Sequence, residues 1–165
     1  MPEPVALAIA VACASLISNI VALSKQIVTF VSDFRDARKD MDAVSRELSS
    51  LSLCLEGLRD DSSKIQLPES LQQNLVGVLR NCDDVTKEMR DLLRKLSSEN
   101  LRRRVQWSII ARDEMNKLRS RLEAHKSAID IALDMISMYV FLLHSTSFCA
   151  STTLSISMGG FPAIN

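Results

Sequence analysis

Residue types that support catalysis or metal binding occur in this chain, but their spacing matches no arrangement that such chemistry uses. The cysteines lie far apart without a CxxC pair, and only two histidines are present. The sequence also lacks a glycine-rich phosphate loop, a nucleophile elbow and a paired carboxylate and histidine. The adjacent carboxylates Asp60-Asp61 and Asp83-Asp84 are explained as charges on a loop or a helix surface. We therefore predict a protein that is not an enzyme, has no cofactor and takes no small-molecule substrate.

The cysteines and histidines have ordinary structural explanations. Cys13 and Cys82 lie on apolar stripes, where a thiol behaves as a small hydrophobic group, and we expect buried reduced thiols in an intracellular protein. His125 also falls on an apolar stripe, which favours a partly buried, hydrogen-bonded side chain over a catalytic one.

The densest positive charge is the triplet Arg102, Arg103 and Arg104, which is followed closely by Trp107. One interpretation is a solvated turn. The other is contact with anionic lipid, since each basic residue near such a surface contributes about 1 kcal/mol and Trp favours the membrane interface. The chain has 20 basic and 20 acidic residues, and one triplet is too little for nucleic acid, so we expect no nucleic-acid partner.

The elements that must position these residues begin with an uncharged segment, Pro4 to Ser24. About 20 apolar residues in a helix can cross a bilayer core. Glu3 and the absence of any Lys or Arg before Lys25 disfavour a cleaved signal peptide. A permanent transmembrane anchor is also disfavoured, because the polar residues in 15–19 would need partners in lipid. We predict an amphipathic helix that fits either a protein core or a membrane.

Apolar residues at alternating steps of four and three predict four helices, near 5–32, 40–58, 69–97 and 108–143. Gly57 and the charged residues 59–64 predict the end of the second helix and a loop, whereas Pro68 and Glu69 suit the first turn of the third. The predicted buried stripes are Ile9, Cys13, Leu16, Ile20, Leu23, Ile27, Phe30 and Phe34; Met41, Val44, Leu48, Leu51, Leu55 and Leu58; Leu71, Leu75, Val78, Cys82, Val85, Met89, Leu92 and Leu96; and Ala111, Met115, Leu118, Leu122, His125, Ile129, Ala132 and Ile136.

These stripes predict an all-α fold, an antiparallel four- to five-helix bundle with an apolar N-terminal helix. Heptad-like spacing also suits an extended coiled coil, but the breaks near residues 60 and 98 favour folding back. The bundle is expected to occupy residues 1–144. Residues 145–165 are expected to form a loosely ordered, uncharged tail rich in Ser and Thr, since no Asp, Glu, Lys or Arg occurs from Met135 to Asn165.

The chain resembles the HeLo-like N-terminal domains of fungal proteins, in particular the type named after protein L of azaphilone-pigment biosynthesis clusters. The resemblance covers roughly residues 1–140 and lies in the apolar start 5–11, the helix 44–51, the segment 105–107, and the segment 118–127 followed by 129–133. It implies an N-terminal module of receptor-like or ankyrin-repeat proteins. The better-studied relatives are membrane-targeting bundles that cause regulated cell death when the first helix is released into a bilayer.

Two functions remain open from the sequence. The first is a membrane-active effector or signalling module whose first helix inserts into a bilayer and promotes oligomerisation, with Ile9, Leu16, Asn19, Ile20 and Leu23 in the inserting element. Asn19 lies off the stripe, so the bundle is expected to tolerate Asn19→Lys. The second is a soluble protein-interaction or scaffold module whose first helix stays buried. Expected partners are membrane lipids and either further copies or a helical protein; the expected location is the cytoplasm, with recruitment to the plasma membrane.

Overall fold

The computed structural model describes residues 4–62, 67–98 and 110–156, and the side chains of residues 7–61, 67–98 and 110–142. Within these ranges the chain forms four α-helices and no strand: α1 (Pro4–Asp33), α2 (Arg38–Ser62), α3 (Glu69–Ser98) and α4 (Ile110–Ile156), with a short 3-10 helix at Arg35–Ala37. The predicted all-α fold with an apolar first helix is confirmed.

Phe34 ends α1 and turns the chain into α2. Its backbone leaves helical geometry (φ −128°, ψ 78°), while its N–H still donates to the carbonyl of Phe30 at 2.9 Å. The two phenyl rings stack with centroids 4.5 Å apart, and Ala37 is fully buried beneath the turn. No Gly or Pro marks this boundary in the sequence, so apolar packing of the turn sets it.

Two helices run beyond their predicted ends. The prediction that Gly57 terminates the second helix is wrong, because α2 continues to Ser62. A glycine inside a helix costs only about 1 kcal/mol relative to Ala, and Leu55 and Leu58 on either side are fully buried in the core. The fourth helix was expected to end near 143, but α4 continues to Ile156. The division of the chain at 144 and 145 stays a prediction.

The four helices form a bundle in which α1 packs mainly against α2 and α3, and α4 mainly against the same two. Helices α1 and α4 therefore occupy opposite corners. Asn19 and Gln26 of α1 bond to Asp83 and Arg90 of α3 at the same sequence offset, so α1 and α3 run parallel. Arg112 of α4 bonds to Asp40 near the start of α2, and Asp130 further along α4 bonds to Cys54 further along α2, so α2 and α4 also run parallel. The neighbouring helices α1 and α2 are thus antiparallel, as are α3 and α4. The pairs α1–α3 and α2–α4 are parallel.

The core consists of the apolar stripes that the sequence predicted for α1, α2 and α4, with Phe34 and His125 only half-buried. On α3 the stripe departs from the prediction. Leu79 and Leu93 are buried, at 3% and 0% exposure, whereas Val78 and Leu92 are half-buried. Leu71 and Leu96 of the predicted stripe are likewise half-buried, and the polar Gln72 and Thr86 are buried instead of lying on the surface. The steps of three and four thus persist along α3 in the opposite order from the prediction, because its packing between α1 and α4 decides which side of the stripe is covered.

Candidate membrane-inserting site

Four of the five predicted inserting residues of α1 point into the bundle core. Ile9, Leu16, Ile20 and Leu23 are each between 0% and 3% exposed and belong to the same buried cluster as the stripes of α2, α3 and α4. In the folded bundle these side chains are therefore sheltered, and they can meet lipid only if α1 leaves its neighbours.

The opposite face of α1 is mostly apolar up to Ser24, although it faces solvent and carries the exposed Ser15 and Ser18. Leu7, Val11, Val21 and Val28 are 55%, 59%, 48% and 72% exposed, and the small residues Ala14 and Ala22 are exposed between them. Within the described residues, Leu7–Asp33 is the one helix that is long and apolar enough to cross a membrane. In its most apolar 18-residue stretch, 28% is buried inside the bundle. Core helices of soluble proteins pass the same test of length and composition, but a helix that is apolar all round suits a largely buried position or a membrane.

Asn19 joins α1 to α3 through the polar group that we call the Asn19 cluster, formed by Asn19, Gln26, Asp83, Lys87 and Arg90. Asn19 Nδ2 donates to Asp83 Oδ1 at 2.8 Å, and Arg90 Nη2 donates to the Asn19 carbonyl at 3.2 Å and to its Oδ1 at 3.3 Å. Lys87 Nζ lies 2.6 Å from Asp83 Oδ2, and this contact raises the pKa of the exposed Lys87 amine.

The Asn19 cluster argues against the expectation that the bundle tolerates Asn19→Lys. The substitution would remove the side-chain acceptor of Arg90, leaving only the backbone carbonyl of residue 19, and would place a second cation beside that guanidinium. Arg90 is already constrained: its carbonyl accepts from Gln26 Nε2 at 3.2 Å, and its buried Nε has no partner among the residues that the structure describes. Asn19→Lys would therefore disturb folding and insertion together, and an exposed position of α1 is a better probe.

Sequence reasoning missed the partners of Asn19. An amide in an otherwise uncharged helix needs hydrogen bonds once it is partly buried, which is a signal that polar partners exist. Asp83 and Arg90 lie seven residues apart, two turns along one face of α3, which is the spacing such partners need. What the sequence could not supply is that α1 and α3 are neighbours and run parallel.

Two cysteines mark the contact between α1 and α3, and both are buried free thiols, as predicted. Burial raises the pKa of Cys82 to about 12, and the charge of Asp83 and the nearby Cys13 add to this effect. Burial also raises the pKa of Cys13 to about 11, partly opposed by Arg59. Both thiols are thus protonated and poorly reactive while α1 and α3 stay together.

The other polar features form no catalytic arrangement within the described residues. His125 lines a shallow cleft between α3 and α4, where Arg121 bonds to both carboxylate oxygens of Glu88 at 2.6 and 3.1 Å. Among the residues that the structure describes, no group of His, Cys, Asp or Glu is arranged to hold a metal ion. The proposed lipid-contact residues Arg102, Arg103, Arg104 and Trp107 lie outside the described residues, so that assignment stays a prediction.

The model of one protein family, described as pigment biosynthesis cluster protein PigL N-terminal, matches residues 3–147. The chain belongs to this family. No curated protein and no solved structure matches it. The PigL N-terminal match spans α1, α2, α3 and most of α4, so it includes both faces of α1 and the whole Asn19 cluster. This family is the one that the sequence resembled.

Proposed function

We propose that this PigL N-terminal domain is a non-enzymatic effector module of the HeLo-like kind, and that α1 is its membrane-inserting element. The observation that carries the proposal is the composition of α1: Pro4 to Ser24 is uncharged, and the exposed face of this segment is mostly apolar, with Ser15 and Ser18 as its exposed polar residues. In water the exposed face stays uncovered. In a bilayer both faces would be covered.

The free energy gained when α1 enters a bilayer is opposed by the free energy lost when α1 leaves the bundle. Insertion would bury the half-exposed Leu7, Val11 and Val21, and fully burying such a side chain contributes about 1.5–3 kcal/mol relative to leaving it exposed. Release would break the hydrogen bonds of Asn19, each worth about 0.5–1.5 kcal/mol net, and would uncover the apolar faces of α2 and α3. The folded bundle therefore needs a trigger.

Release of α1 would also favour oligomerisation. Once α1 has left, the faces of α2 and α3 that it covered would be exposed apolar surfaces, and packing against further copies would cover them again. We propose homo-oligomers as the inserted form, a cytoplasmic protein recruited to the plasma membrane, and regulated cell death as the outcome, in line with the HeLo-like relatives that the sequence resembles.

A second candidate is a soluble interaction or scaffold module in which α1 never leaves. The observations that favour it are the completely buried stripe of α1, Ile9 to Phe30, and the hydrogen bonds between Asn19 and α3. Both features are what a permanent core helix would have.

Ala14→Lys separates the two candidates. Ala14 is exposed and lies in the middle of the uncharged segment, so the bundle should keep its fold, whereas a charge at mid-bilayer costs roughly 2.5–3.5 kcal/mol. The matched control is Val28→Lys, which adds the same charge at a 72% exposed position of α1 beyond Lys25. Circular dichroism and denaturation should show both variants folded.

Flotation with vesicles and dye leakage from vesicles distinguish insertion of α1 from the scaffold function. If α1 inserts, the unmodified chain and Val28→Lys bind and release dye, and Ala14→Lys loses leakage. Equal leakage by all three proteins, or no binding by the unmodified chain, would leave the scaffold function standing.

Contact of Arg102, Arg103, Arg104 and Trp107 with anionic lipid belongs to the same proposal. Reversing the three charges should weaken flotation with anionic vesicles and leave neutral vesicles little affected. Equal binding by the reversed variant would assign the triplet to a solvated turn.

A further inference from the structure

The C-terminal part of α4 extends past the rest of the bundle, at the end where α1 begins. Arg112 and Asp130 of α4 lie beside Asp40 and Cys54 of α2, so the end of α2 at Ser62 lies level with the stretch of α4 just after its last buried residue, Ile136. The helix then continues to Ile156, a further 30 Å or so at about 1.5 Å per residue.

This part of α4 carries no charge. The last charged residues of the chain are Asp130 and Asp134, and none of Asp, Glu, Lys or Arg occurs from Met135 onward. Every ion pair that joins α4 to another helix in the described structure lies earlier, at Arg112, Arg121 and Lys126. The uncharged helix from Met135 to Ile156 is about 33 Å long, which matches a bilayer core of about 30 Å.

Its described residues present a second apolar stripe, on the side away from the core. Ile131, Met135 and Met138 are 61%, 52% and 67% exposed, and Leu142 continues the same four-and-three spacing at 57% exposure. We call these four residues the exposed α4 stripe. The buried stripe on the other side of the helix ends at Ile136.

Both uncharged helix segments lie at one end of the bundle. Helices α1 and α2 are antiparallel, so the beginning of α1, with the exposed Leu7 and Val11, is at the end where α2 finishes and α4 extends outward. The charged residues that the structure describes at this end, Arg59, Asp60 and Asp61 of α2 and Glu69 of α3, stop short of the extension of α4, at a level where lipid headgroups would meet them.

We propose that α4 from Met135 to Ile156 is a second membrane-inserting element, which enters the same bilayer as α1, with lipid acyl chains covering the exposed α4 stripe from Met135 onward. This inference rests on the proposed function of α1 and adds a second segment to it. Acyl chains are the occupant that fits, because the segment is uncharged with His144 neutral, and its length equals the thickness of the hydrocarbon core. Its eight Ser and Thr hydroxyls can bond to carbonyls of the preceding helical turn, which satisfies them within the helix. Neutral phosphatidylcholine vesicles should therefore suffice.

Tryptophan quenching by brominated phosphatidylcholine tests the position of each helix separately. In the full-length chain with Trp107→Phe, a single new tryptophan is placed by Met138→Trp, by Val11→Trp, or by the control Ile110→Trp. Ile110 is 60% exposed on the same helix, at the opposite end of the bundle, and neutral vesicles offer Arg102, Arg103 and Arg104, which are nearby in the sequence, no anionic lipid to contact. We expect at least about twofold quenching at 138 and 11, and an unchanged signal at 110.

The outcomes keep the two proposals apart. Quenching at 11 without quenching at 138 overturns the inference and leaves the insertion of α1 standing. Quenching at 138 alone supports membrane entry by α4 and overturns the proposed role of α1. Quenching at neither site, or equal quenching at 110, overturns both. If 138 is shielded from lipid in a dimer of defined mass, the stripe is covered by a second copy and the inference is wrong.

A charge in the stripe gives an independent check. Met138→Glu should lower the fraction of protein that floats with neutral vesicles about tenfold, whereas Ile110→Glu should leave it unchanged. Both positions are exposed, so circular dichroism should show the same helix content for both variants. Equal flotation by the two would contradict membrane entry by α4.

Discussion

Cys82 should report directly whether α1 leaves the bundle. This thiol of α3 is fully buried, and burial beside α1 raises its pKa to about 12 from an ordinary value of 9.0. Thiolate is the reactive form, so at pH 8 the thiolate fraction is about a thousandfold lower than for an exposed cysteine. Departure of α1 would expose Cys82, and its thiolate fraction would rise by most of this thousandfold difference.

Cys13 supplies the internal control, because it travels with α1. Its pKa of about 11 makes it roughly a hundredfold less ionised than an exposed thiol in the bundle, and it would pass from the core into lipid on insertion. Insertion therefore predicts a large gain in reactivity for Cys82 and little gain for Cys13.

The assay needs no substitution. The unmodified chain is treated with iodoacetamide at pH 8 with and without vesicles, and mass spectrometry of the peptides measures the alkylation rate of each cysteine. The protein-to-lipid ratio is kept low enough for inserted chains to stay monomeric, because a second copy packed on α3 would cover Cys82 again. Under this condition, a rate for Cys82 that vesicles leave unchanged would refute the release of α1. Equal gains at both cysteines would indicate general unfolding instead.

Three further predictions concern the bundle itself. Leu93→Ala should lower the free energy of unfolding by about 2–5 kcal/mol and by clearly more than Leu92→Ala, since Leu93 is fully buried and Leu92 half-buried; equal losses in urea denaturation would contradict the observed register of α3. Gly77→Ala should stabilise by about 1 kcal/mol, because an added Cβ meets no atom within 4 Å and alanine favours the helix; a lower denaturation midpoint would show that space is lacking. Above pH 9 the unfolded thiols ionise while Cys13, Cys54 and Cys82 stay protonated in the bundle, so stability should fall with rising pH, by about 1.4 kcal/mol per unit for each of the buried thiols Cys13 and Cys82 up to its folded pKa. Cys82→Ala should make this slope shallower by the contribution of one thiol, and an unchanged slope would exclude this origin.

The helices and most of the core could be predicted from spacing because each helix buries one face. The stripes of α1, α2 and α4 follow directly from which residues recur every three or four positions. The start of α3 was also predictable from Pro68, whose carbonyl accepts from Leu71 and Gln72 at 3.0 Å. Local signals were weaker where packing opposed them: Gly57 did not end α2, because the burial of its neighbours outweighs the preference of a single residue.

The sequence by itself determined that α1 is uncharged from Pro4 to Ser24 and mostly apolar there, because composition requires no knowledge of neighbours. Only the tertiary structure decided which residues meet across helices. The parallel packing of α1 on α3 brings Asn19 to Asp83 and Arg90, residues 64 and 71 positions away. The same arrangement places the start of α1 and the extension of α4 at one end of the bundle. Apolar stripes are alike in any helix and packing between them is not directional, so periodicity specifies which face is buried and leaves the choice of neighbour to the assembled fold.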